Sequence, residues 1–227
     1  MKSIMVLVPL AVACVSPASA DFAGRIGFSN GSMDSVWSGG GFSIDYSTTN
    51  YGLSYFLDDG YFVDLNIRQG DDEVPDQTLN NGTFDGFSRD DTTYTIGRAI
   101  GNGMSVFGGM ISSEYTVDVT QTLVFSETIE MEGLYVGVGK QFQMEKGSIN
   151  VSVAFADLDL DLSYGGALEG VIQPYSESGS GFSYTISYNY PVNNGVIINA
   201  EYKSQSYGFD SADDEIDQFG INLVYGF

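Results

Sequence analysis

Large apolar residues recur at every second position along much of this chain. Phe219, Ile221, Leu223, Tyr225 and Phe227 alternate with smaller residues. A period of two places all five on one face of a strand, because successive side chains of a strand point to opposite sides. In water such a face needs a second layer of structure to cover it. In a closed barrel the cover can be lipid.

The same rhythm starts at residue 22. Phe22, Ile26 and Phe28 oppose Arg25, Gly27 and Ser29, and a polar stretch runs from Asn30 to Gly40. Phe42, Ile44 and Tyr46 hold even positions, whereas Tyr51, Leu53, Tyr55 and Leu57 hold odd ones. One long strand with a bulge near residues 48–50 accounts for this change of parity, as do two separate strands. Asp58-Asp59-Gly60 signals a tight turn before Tyr61, Val63, Leu65 and Ile67. The polar segment from Gln69 to Asp91 reads as a loop. Tyr94, Ile96 and Ile100 lead to the turn Gly101-Asn102-Gly103 and a strand ending near Asp118. Residues 129–142 and 148–162 form a hairpin, with a second bulge expected before Leu158, Leu160 and Leu162. Phe182 to Tyr190 and Val196 to Tyr202 flank the turn at residues 191–195, and an acidic loop around Asp210 to Asp217 precedes the last strand.

Topology sets the strand number. A bacterial membrane barrel has an even count, with short turns at one end and longer loops at the other. Taking Phe42 to Leu57 as one strand gives ten strands, and splitting it gives eleven. The short turns near residues 59, 102, 145 and 193 then share the periplasmic end. The sequence therefore predicts an all-β protein, a single closed antiparallel transmembrane β-barrel of ten strands, with eight as the alternative and with long acidic extracellular loops.

The first twenty residues add an export step. Lys2, the apolar run Ile4 to Cys14 and the small-residue site Ala18-Ser19-Ala20 fit a signal peptide cleaved after Ala20. Lipid attachment at Cys14 is the competing expectation. Residues 21–227 form the barrel domain and contain no cysteine, so disulfides cannot staple it. The apolar run is shorter than the roughly 20 residues a membrane helix needs, and no later stretch is longer. With 8 basic against 30 acidic residues, the net charge of −22 disfavours nucleic acid as a partner. It suits diffuse binding of divalent cations at acidic loops.

Signal segment, alternating strands, short-turn and long-loop asymmetry and the terminal Phe together resemble the OmpA/OmpX-like, porin-like group of small bacterial outer-membrane barrels. The resemblance implies a place in the Gram-negative outer membrane, beside lipid and lipopolysaccharide. It also implies insertion by the barrel-assembly machinery, which would read Phe219, Ile221, Leu223, Tyr225 and Phe227.

If the large apolar faces meet lipid, the opposite faces line the lumen. Those positions are mostly Gly, Ser, Thr and Asn, with Arg25, Asp64, Arg68, Glu201 and Lys203 among them. In a narrow barrel these charges either pair as a polar core or form a charged constriction. Small-barrel enzymes such as omptin proteases, lipid A deacylases, palmitoyl transferases and the outer-membrane phospholipase use a catalytic His, and this chain has none. No enzymatic activity, cofactor or metal is expected. Three functions stay open: a structural or surface-contact barrel with a largely filled lumen, a narrow cation-preferring pore, and a soluble secreted barrel holding an apolar ligand.

Overall fold

The computed structural model describes residues 21–37, 40–72, 77–79, 82–120, 124–193 and 195–227. The export segment, with Ala18 and Ala20, lies outside them. Ten long strands form the wall: β1 (Phe22–Trp37), β2 (Gly40–Phe56), β3 (Tyr61–Asp72), then β5 (Gly82–Gly101), β6 (Met104–Thr120) and β7 (Val124–Met144). β8 (Gly147–Gly166), β9 (Tyr175–Asn193), β10 (Val196–Phe209) and β11 (Ala212–Gly226) complete it. A three-residue strand, β4 (Gln77–Leu79), pairs with β5 alone. Every pairing is antiparallel between neighbours. The β1–β11 and β3–β5 pairings close the sheet.

Ten strands and one end of tight turns match the sequence expectation, but the strands are longer than the alternation suggested. β1 continues through the polar stretch to Trp37. Most of the segment expected to be a loop between Gln69 and Asp91 is strand in β3 and β5. The long strands run from 12 to 21 residues, whereas a tilted strand crosses the hydrocarbon in roughly 9–11. The barrel therefore stands well clear of the membrane.

That extra length explains the parity changes. β2 keeps one register against β1 from Phe22↔Tyr55 to Trp37↔Gly40, with no bulge. β8 is likewise unbroken against β7 and β9 through Leu158, Leu160 and Leu162. Both expected bulges are absent; the apolar side chains change faces while the backbone does not. Near the tight turns, Tyr51, Leu53, Val153 and Phe155 point outward and Asn50, Ser54, Asn150 and Ser152 inward. Farther up the same strands, Ile44, Tyr46, Leu158 and Leu160 point inward, and Asp45, Asp157 and Asp159 are exposed.

The wall thus has two storeys with opposite polarity. The lower one faces lipid and is apolar outside; the upper one faces water and is apolar inside. Met33, Ile44, Ile111, Tyr115, Met131, Leu158, Leu160, Tyr207 and Ile216 belong to one buried cluster that crosses the upper lumen, and Phe62, Phe107 and Tyr135 continue it down one wall. Burying each such side chain away from water contributes roughly 1.5–3 kcal/mol. The upper storey is held together as a water-soluble barrel would be.

Candidate functional site

Below the apolar cluster the lumen carries the polar side chains that the alternation placed inside. Arg25, Asp64, Arg68, Glu201 and Lys203 are all buried there. Strand pairing brings them together in two groups. Arg25 Nη2 lies 3.4 Å from Asp64 Oδ2 and donates to Asn66 Oδ1 at 2.9 Å. Ser54 Oγ donates to the other Asp64 oxygen. Farther up, Arg68 Nη2 meets Glu201 Oε1 at 3.1 Å, and its Nη1 donates to Gln218 Oε1. Gln218 Nε2 donates to Ser29 Oγ at 2.7 Å, which shares a 2.7 Å bond with Thr48. Lys203 lies within the fields of Arg68, Glu201, Asp91 and Arg89, and its Nζ has no hydrogen-bond partner among the described residues.

An amide ladder adjoins these charges, running across neighbouring strands from β2 through β11 and β10 to β9. Asn50 donates to Asn222 at 3.3 Å, Asn222 to Asn199 at 2.9 Å, and Asn199 to Asn189 at 2.9 Å. The strand between Asn50 and Asn222 contributes Gly27 to this row. A Cβ on Gly27 would stand 2.2 Å from Asn222 Oδ1, so the missing side chain is what lets the two amides meet.

Two charged residues of β5 inside the barrel were not found by sequence reasoning, and neither was Asp214 of β11. Arg89 donates from Nε to Asp91 Oδ2 at 2.9 Å and from Nη1 to the Tyr46 hydroxyl at 3.2 Å, with its guanidinium 5.2 Å from the Tyr46 ring centroid. Ser113 Oγ donates to the second Asp91 oxygen. Both positions fell in the segment expected to be a loop. The signal that could have found them is their parity, since Arg89, Asp91, Thr93 and Thr95 share one face of β5.

The buried charges balance. Arg25, Arg68, Arg89 and Lys203 face Asp64, Asp91, Glu201 and Asp214, four of each sign. Their oxygens and nitrogens are engaged mainly with one another and with amides and hydroxyls. Among the described residues no three His, Cys, Asp or Glu side chains are placed to hold a metal. The arrangement suits a polar core that fixes strand register, since buried charges are tolerable when paired and hydrogen-bonded.

Phe219, Ile221, Leu223, Tyr225 and Phe227 all point outward from β11 or its end, 49–61 % exposed. They form part of an apolar belt that continues through Phe28, Tyr94, Leu134, Phe155 and Ile186.

No family model matches the chain. No curated protein matches it in sequence. Solved structures do match in fold. The outer membrane protease OmpT from Escherichia coli superposes with a TM-score of 0.64 at 10 % identity, covering 91 % of this chain and 96 % of that one. The translocator domain of the autotransporter NalP from Neisseria meningitidis gives 0.59 at 9 % identity, covering 92 % and 89 %. The fold is that of the outer-membrane β-barrels.

Proposed function

We propose that this protein is a non-enzymatic barrel of the Gram-negative outer membrane whose closed lumen supports a rigid, acidic extracellular platform for surface contacts. The observation that carries this reading is the apolar cluster across the upper lumen. A pore through it would have to wet side chains such as Tyr115 and Leu160, which are 0 % and 1 % exposed. Hydrophobic constrictions hold back ions by dewetting, and the buried charges of the lumen as a whole, four of each sign, favour neither cations nor anions. The absence of histidine supports the lack of catalysis, because the chain has no side chain whose ordinary pKa suits a general base near neutral pH. Likeness to a protease in fold alone brings no activity with it.

The outward belt argues against a soluble secreted barrel, which would expose those side chains to water. Lipopolysaccharide would surround the upper storey, and divalent cations held diffusely at its carboxylates would moderate the contact. The barrel-assembly machinery would read the β11 face. Single-channel recording in planar bilayers tests the reading. We expect insertion, shown by heat-modifiable migration on a gel, without discrete conductance steps. Steps that change when Asp64 or Glu201 is neutralised would replace the platform with a pore.

A further inference from the structure

The seven basic residues among those described divide into two sets. Arg25, Arg68, Arg89 and Lys203 are inside the barrel. Arg98, Lys140 and Lys146 are outside, all near the tight-turn end of β5, β7 and the β7–β8 turn. The outer wall of the upper storey carries acidic residues and, among those described, no cation. Arg98 is held at the periplasmic edge of the belt. Its guanidinium sits 4.7 Å from the Tyr61 ring centroid, and its Nε donates to the Asp59 carbonyl at 3.3 Å. Its Nη atoms make no hydrogen bond to the described residues. Lys140 donates to the Asn102 carbonyl and lies 5.9 Å from the Phe142 ring.

Directly above these two cations the belt has a dent. Cross-strand pairing sets Ile96, Gly108 and Val136 in one outward row, with Arg98, Val106 and Val138 in the row below. Ile96 and Val136 stand 59 % and 66 % exposed on either side of a position without a side chain. The strands that carry them lie about 10 Å apart, two strand spacings. The resulting groove, about 710 Å³, is lined by Tyr61, Ile96, Arg98, Val106, Gly108 and Val136 among others, and Arg98 brings its one charge.

We propose that this groove binds one anionic phospholipid of the periplasmic leaflet, with its phosphate at Arg98 and Lys140 and one acyl chain in the slot over Gly108. The outward cations among the described residues, Arg98, Lys140 and Lys146, are all at this end, and Arg98 is the one that lines the groove. Arg offers a planar pair of donors suited to phosphate, and Lys140 stands two strands away with a flexible stem. The slot leads from the headgroup height into the belt, as a phospholipid requires. It ends at the row of Met110 and Leu134, in which Asp157 is the next outward residue.

The test uses the exported protein, extracted from the outer membrane of a Gram-negative host and titrated in detergent with phosphatidylglycerol or phosphatidylcholine. Native mass spectrometry counts the bound lipid. Heat-modifiable migration confirms that each variant is folded. Wild type should retain one phosphatidylglycerol with a preference over phosphatidylcholine on the order of tenfold. R98Q/K140Q should lose that preference, and V136F, which fills the slot from its side without touching the cations, should weaken retention of both lipids. Equal retention of the two lipids by wild type would overturn the proposal. So would undiminished phosphatidylglycerol retention in folded R98Q/K140Q or in folded V136F.

Discussion

Arg25 reaches Asp64 by lying across Gly52, its directly paired neighbour on β2. A Cβ at Gly52 would stand 2.6 Å from Arg25 Nη2, and the guanidinium is the part free to move. Gly52→Ala should therefore push Arg25 off Asp64 rather than distort the sheet. The expected cost is up to about 3 kcal/mol, because a buried carboxylate loses its counter-charge. Urea unfolding of vesicle-inserted protein would measure it, and Asp64→Asn in the same background should recover part of the loss. Arg89 presents a sharper case, since it lies within the apolar upper storey. Asp91→Ala leaves that guanidinium uncompensated and should cost about 3–5 kcal/mol, whereas Asp91→Asn, which keeps an acceptor, should cost less.

At the scale of a strand, position along the axis decides what a substitution does. Phe155 and Asp159 both point outward from β8, four residues apart. Phe155 sits in the belt between Val136 and Phe182, whereas Asp159 stands between Glu132 and Ser178. Phe155→Lys should destabilise the folded protein by roughly 2–4 kcal/mol, as a charge facing lipid does. Asp159→Lys should be neutral or stabilising at low ionic strength, since it relieves the Glu132 carboxylate opposite. The two unfolding curves, compared at low salt, check the contrast. The same dependence on height explains how far the fold was legible beforehand. Alternation at Phe219 to Phe227 or Tyr51 to Leu57 reports the lipid-facing storey directly, and Gly and Asn mark the tight turns. Ile44, Tyr46, Leu158, Leu160 and Leu162 alternate equally well, but on the other face. A pattern of period two does not say which solvent lies on which side, so a reversal of solvent reads as a bulge. Polar outward residues above the belt likewise read as loop, which hid Arg89 and Asp91.

For the whole molecule, closure runs through the seam between β1 and β11. Phe227 donates its N–H to Phe22 O at 2.9 Å and accepts from Phe22 N at 3.3 Å, and the two rings stack with centroids 6.0 Å apart. Deleting Phe227 removes the last hydrogen-bonded pair of the β1–β11 closure and one outward aromatic. We expect a lower yield of heat-modifiable protein in outer-membrane fractions, with a periplasmic pool of unassembled chain. Equal yields would detach the terminal residue from assembly.

The reversal of polarity halfway up the wall also fixes the depth at which the molecule floats. Like a hull painted to one draught mark, the barrel carries its waterline in its side chains. Roughly nine residues of belt per strand, rising about 3.3 Å each at a 45° tilt, give a band about 20 Å tall. Riding higher would put Phe155 and Phe219 into water, and sinking would draw Asp157 and Asp217 into hydrocarbon. Each ångström of misfit costs a fraction of a kcal/mol per protein. Refolding yield should accordingly peak in bilayers of short-chain lipid and fall as the acyl chains lengthen, so that bilayer thickness alone would select where this chain can settle.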